Sequence, residues 1–189
     1  MAINQAVIFT KPIYHLSHAL TPDALYEQVE SFLTERRFYV RTHRCVTGVE
    51  LAAGGIMDQH YVVYSKAVRV AALEDLQVSD EAKERFGNRF ETTWHDEVAQ
   101  GRLMSTDQLM KQRSLSATSV LDEWEKNLAA GKAFKVQAGL IVTFVEAFNS
   151  FVINGFYPAM AERFNHADNV MHYLVVEFDS NDCSWRSFR

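Results

Sequence analysis

Lys11, Tyr61, Phe156 and Met160 are the side chains of this 189-residue sequence whose types and settings best suit a ligand that combines phosphate with a flat ring. Lys11 closes the apolar run Ala6-Val-Ile-Phe-Thr-Lys-Pro12, where a cation at a strand end projects toward an anion. Tyr61 follows Gln59-His60, and its phenol can donate to a phosphate oxygen. Phe156 and Met160 stand four residues apart in Asn154-Gly-Phe-Tyr-Pro-Ala-Met160, on one helical face, where they can clamp a nucleobase. Each also has an ordinary reading. Lys11 suits a solvated turn, Tyr61 a packed helix end, and Phe156 with Met160 a core.

Other chemistry lacks its signature. There is no Gly-rich phosphate loop of the Walker or dinucleotide kind and no Gly-x-Ser-x-Gly elbow. The histidines are His15, His18, His43, His60, His95, His166 and His172, and no nearby pair has metal-ligand spacing. His15 and His18 lie nearest Lys11 in sequence, and their ordinary reading is as solvated loop residues. Cys45 and Cys183 cannot build a structural zinc site alone and read as free thiols. No catalytic residue and no metal ligand is therefore assigned.

The elements that must position these groups are partly legible. Val7 to Thr10 reads as a strand ended by Pro12. Thr21-Pro22-Asp23 starts a helix, with Thr21 as cap and Pro22 in the first turn. Leu25, Val29, Phe32 and Leu33 form its apolar face, and it ends near Glu35-Arg36-Arg37. Phe38 to Val46 alternates as a second strand, with Phe38, Val40 and Thr42 on one face and Tyr39, Arg41, His43 and Cys45 on the other. A second helix over Val49 to Tyr64 is weakened by Gly54-Gly55. Asp75 to Gln112 is polar and reads as solvated helices or a long excursion. Ser119 to Ala130 is expected to be a helix stopped by Gly131, and Gly139 to Val145 a strand with Phe151-Val-Ile as its hairpin partner. A helix over Phe156 to Phe164 and a strand over Met171 to Phe178 complete the reading. Strands and helices in this order predict an α+β fold.

An apolar content of 48% allows a sizeable core, and the length suits one domain, or one with a large insertion. The formal net charge of -5 argues against a general nucleic-acid binder. The N-terminus lacks a signal-peptide pattern, and no apolar run approaches the roughly 18 residues of a membrane span, so a cytoplasmic protein without membrane association is expected.

In their order, Ala6-Val-Ile-Phe-Thr-Lys-Pro, His60-Tyr61, Gly155-Phe-Tyr-Pro-Ala-Met and Tyr173-Leu-Val-Val-Glu-Phe resemble segments of the nucleoside diphosphate kinase family, closest to its enlarged, divergent members. The resemblance implies a ferredoxin-like antiparallel sheet, strand order second, third, first, fourth, with helices on one face. Its core would be about 5–65 and 150–189 of a single domain 1–189, with an insertion at about 66–149. It implies that Lys11 and Tyr61 meet nucleotide phosphates, that Phe156 stacks on the base beside Met160, and that Arg189 matches a phosphate-binding arginine. The third position of the Lys-Pro-Asp strand end is Ile13 here. The family moves the γ-phosphate of a nucleoside triphosphate to a diphosphate through a phosphohistidine, with Mg²⁺ on the nucleotide, and forms homo-oligomers. No histidine here matches that nucleophile, so the chain is expected to be inactive alone, either as a fragment lacking the fourth strand or as a naturally silent relative. Apolar surface near Val7 and Phe9 would then lie uncovered. The alternative is a non-catalytic nucleotide-binding or assembly module on the same fold; a third is an α+β protein with only architectural similarity.

Overall fold

The computed structural model describes residues 3–179. The chain runs β1 (Ile3–Phe9), α1 (Tyr14–Ser17), α2 (Pro22–Glu35), β2 (Tyr39–Thr47), α3 (Gly48–Ala53), α4 (Ile56–His60) and α5 (Val62–Arg69). It continues through α6 (Asp80–Phe90), α7 (Trp94–Ala99), β3 (Leu103–Ser105), α8 (Thr106–Arg113) and α9 (Ala117–Ala129). Then follow β4 (Ala133–Gln137), β5 (Leu140–Val145), β6 (Ser150–Ile153), α10 (Tyr157–Phe164) and β7 (Val170–Asp179). The architecture is α+β. It falls into two compact units: the described parts of Met1–Ile56 and Arg163–Arg189, and Met57–Glu162. The expected insertion limits, 66 and 149, both lie inside the second unit.

The first unit is built on a sheet of order β1-β7-β2. β7 pairs antiparallel with both neighbours, Val7 opposite Val175 and Thr47 opposite Val170. α2 begins as the sequence predicts: the Thr21 hydroxyl accepts the Ala24 N–H at 3.2 Å, and Pro22 occupies the first turn. Its Tyr26, Val29 and Leu33 cover one sheet face, packing with Phe38 on Ala6, Ile8, Val40, Leu174, Val176 and Phe178. On the opposite face Val7 is 61% exposed, whereas Phe9 stacks on Tyr173 with centroids 5.9 Å apart. Apolar surface is thus open at Val7, while Phe9 is half-buried beside Tyr173. Gly48 starts α3 where a Cβ would stand 1.8 Å from the His166 carbonyl oxygen, so no larger residue fits.

β2 departs from simple alternation. Val40 pairs with Val176 and Thr42 with Val175, leaving Arg41 as a bulge. The extra residue reverses the facing of the rest of the strand. His43, opposite Leu174, therefore shares the covered face with Val40 and not the wetter face with Tyr39.

The second unit has its own sheet, order β3-β6-β5-β4, with β3 parallel to β6 and the other pairs antiparallel. Helices cover both faces. Phe86 and Trp94 pack on Leu103, Val142, Phe151 and Ile153, while Leu109, Val120 and Trp124 pack on Met104, Val145 and Val152. Of the two readings of Asp75 to Gln112, the structure shows helices and not a long excursion, and buried Phe86, Trp94, Leu103 and Leu109 anchor the segment. The predicted hairpin of Gly139 to Val145 with Phe151-Val-Ile is present, and the Ala117–Ala129 helix ends beside Gly131 at φ +70. The helix expected over Val49 to Tyr64 is three pieces. Gly55 at φ +56 interrupts it, and Tyr61 separates α4 from α5.

Candidate functional site

Lys11 follows the last residues of β1, held in register by Thr10. The Thr10 N–H donates to the His172 carbonyl at 3.1 Å, and its hydroxyl accepts the His172 N–H at 3.0 Å. This fixes the strand end, while the Lys11 side chain is exposed and makes no ion pair among the described residues. Thr10 and Lys11 line a cavity of about 310 Å³ with Leu25, Gln28, Val29 and Phe32 of α2. One wall is thus cationic and polar and the other apolar, and its volume is at the small end of ligand pockets. Leu25, Val29 and Phe32 were readable as one helix face, but neither Gln28 nor the cavity was. The lining contains no histidine and no carboxylate.

Tyr61, Phe156 and Met160 belong to the second unit and are brought together. They pack around buried Val68, Tyr157 and Ala161, with Tyr64 beside them. Phe156 meets Tyr64 edge-to-face at 5.6 Å and Trp124 at 6.1 Å. All three side chains are half-buried. The Tyr61 hydroxyl makes no hydrogen bond among the described residues, and burial, then nearby Tyr64, pushes its pKa up. It is a neutral donor at ordinary pH. Lys11 lies in the other unit. Arg189 lies outside the described residues.

Comparison with protein-family models, curated proteins and solved structures finds no match.

Two features of the second unit went unread in the sequence. Asp58 accepts hydrogen bonds from the Tyr157 hydroxyl at 2.8 Å and the Ser65 hydroxyl at 3.2 Å, and pairs with Arg69 at 2.7 Å. Burial alone would raise the Asp58 pKa, but the bonds from Arg69 and Tyr157 outweigh it and hold the carboxyl below its usual range. Burial first and Asp58 second push the Tyr157 phenol up, against smaller opposing contributions from Ser65 and Arg69. Second, a cleft of about 580 Å³ has Phe90, Phe144 and Phe151 on its floor and Arg89, Arg102 and Lys132 at its rim. Glu97, 1% exposed, grips Arg102 through bonds of 2.8 and 2.6 Å and accepts the Thr92 hydroxyl at 2.6 Å. Lys132 pairs with Glu146, and Arg89 donates to the Gly131 carbonyl. These cations already have partners, so the cleft does not favour an anion. Its residues come from separated segments and leave no local signal.

The histidines divide by setting. His15, expected in solvent, is 5% exposed, its Nε2 3.2 Å from the Asp168 carbonyl oxygen. His18 and His60 are exposed, His60 edge-on to Tyr61 at 4.8 Å. None lines the Lys11 cavity.

Proposed function

We propose that this chain is a nucleoside diphosphate kinase-like protein that binds nucleoside di- or triphosphates and is catalytically silent by itself. One observation carries the reading. Lys11, without an ion pair among the described residues, presents its ammonium beside a cavity at the end of β1, in an antiparallel sheet whose strands run β2-β7-β1. That order supports a ferredoxin-like core, in which the second, third and first strands are neighbours in that sequence. A lone ammonium with the Thr10 hydroxyl near it suits a phosphate.

Lys11, in the first unit, carries the phosphate half of the reading. The resemblance assigns Tyr61 to the phosphates as well and Phe156 with Met160 to the base; these three belong to the second unit, where their aromatic packing gives them a structural role. The Lys11 cavity offers no carboxylate, so Mg²⁺ would arrive on the nucleotide phosphates and not on a protein ligand.

The reading of a silent chain is supported by the cavity lining, which includes no histidine to carry a phosphoryl group. Incubation with γ-labelled ATP is expected to leave no acid-labile phosphate on the protein, and stable labelling would overturn that part. Nucleotide binding is tested separately by the melting temperature with MgADP, which is expected to rise.

A further inference from the structure

Beneath the first turns of α2, histidines of two neighbouring strands share a hydrogen bond. The bulge at Arg41 brings His43 of β2, itself exposed, to the α2 side of the sheet, and its Nε2 lies 2.8 Å from Nδ1 of buried His172 on β7. Tyr26 of α2 stacks on His43 with centroids 3.8 Å apart and planes 13° apart, and its hydroxyl donates to Glu30. His172 is 1% exposed, and its Nε2 has no hydrogen-bond partner among the described residues. From the elements around the pair, α1 contributes His15, α2 contributes Asp23, Tyr26 and Glu30, and β2 contributes the Cys45 thiol. Just after β1, the neutral Thr10 hydroxyl accepts the His172 backbone N–H.

A hydrogen bond between imidazoles needs one nitrogen with a free lone pair. With one ring protonated the bond survives. With both protonated, two N–H groups and two positive charges meet at a separation that held one bond. We propose that His43 and His172 form a proton-operated latch, which ties β2 to β7 under α2 near neutral pH and releases them when both rings are charged.

Burial, then the charges of His43 and His15, holds His172 below the ordinary histidine value, against the opposing pull of the Pro22 carbonyl and Asp23. A depressed histidine binds its proton more readily in the opened chain. Stability is therefore complete above the unfolded value of about 6.5 and falls as pH drops below it, until the folded ring also titrates. Opening that takes up one proton becomes up to about tenfold easier per pH unit in that window.

Hydrogen exchange of the β2 and β7 amides in the full chain between pH 7.5 and 5.5, corrected for intrinsic rates, tests this. Exchange in the native protein is expected to quicken up to about tenfold per unit below pH 6.5. His172→Gln is expected to flatten that dependence. His43→Gln is expected to do the same, and decides the matter if the buried substitution does not fold. The α9 amides serve as the reference and are expected to show no such change. A native protein without the slope, or an undiminished slope in both variants, overturns the latch.

Discussion

Lys11 was readable because its setting is local: an apolar run, a terminal lysine and a proline suffice to put an ammonium at a strand end. Replacing it with alanine removes a charge-assisted contact worth about 1.5–3 kcal/mol, so MgADP should bind about tenfold to hundredfold more weakly by calorimetry. Phe156 needs a gentler change, because it also packs on Tyr64 and Trp124. Phe156→Leu keeps most of the apolar volume and removes the flat face. Binding should fall while stability changes by less than about 1.5 kcal/mol, read by urea unfolding. Asp58 and Tyr157 were not legible as partners, since 99 positions separate them. Tyr157→Phe removes one donor from Asp58 and should cost about 1–2 kcal/mol. The depressed Asp58 carboxyl contributes stability above its unfolded value of about 3.9, lost as pH falls through its lower folded value. Asp58→Asn should therefore flatten the acid dependence of unfolding below about pH 4. Buried His15 shows the limit of such reading, since the Asp168 carbonyl that receives it is distant in sequence.

Elements were legible where signals were local and failed where a distant partner decided. The α2 start and the β5–β6 hairpin follow from Thr21-Pro22 and from two apolar runs flanking a turn. β3 and β4 were missed: Leu103–Ser105 is very short and wins its place by pairing with β6, and Ala133–Gln137 by pairing with β5. The bulge in β2 is likewise set by the β7 register and not by the composition of β2. Gly139 gives the elements a direct test. It turns at φ +73 between β4 and β5, and a Cβ there would stand 2.0 Å from Val63 Cγ1. Gly139→Ala combines a left-handed conformation with overpacking and should destabilise the protein by about 2–4 kcal/mol, measured by urea unfolding.

At the scale of the molecule, the sequence conveyed an α+β chain, but not that Met57–Glu162 forms a compact unit around a second sheet covered on both faces. Polarity concealed it. Half of Asp75 to Gln112 is exposed, and scattered buried side chains such as Phe86, Trp94 and Leu109 define its core. The nucleotide reading concerns the whole protein, and thermal unfolding of the intact chain with millimolar MgADP tests it most directly. The account predicts a melting temperature that rises with ligand concentration, and a rise that largely disappears in Lys11→Ala. No rise at millimolar MgADP, or an equal rise in Lys11→Ala, would contradict it.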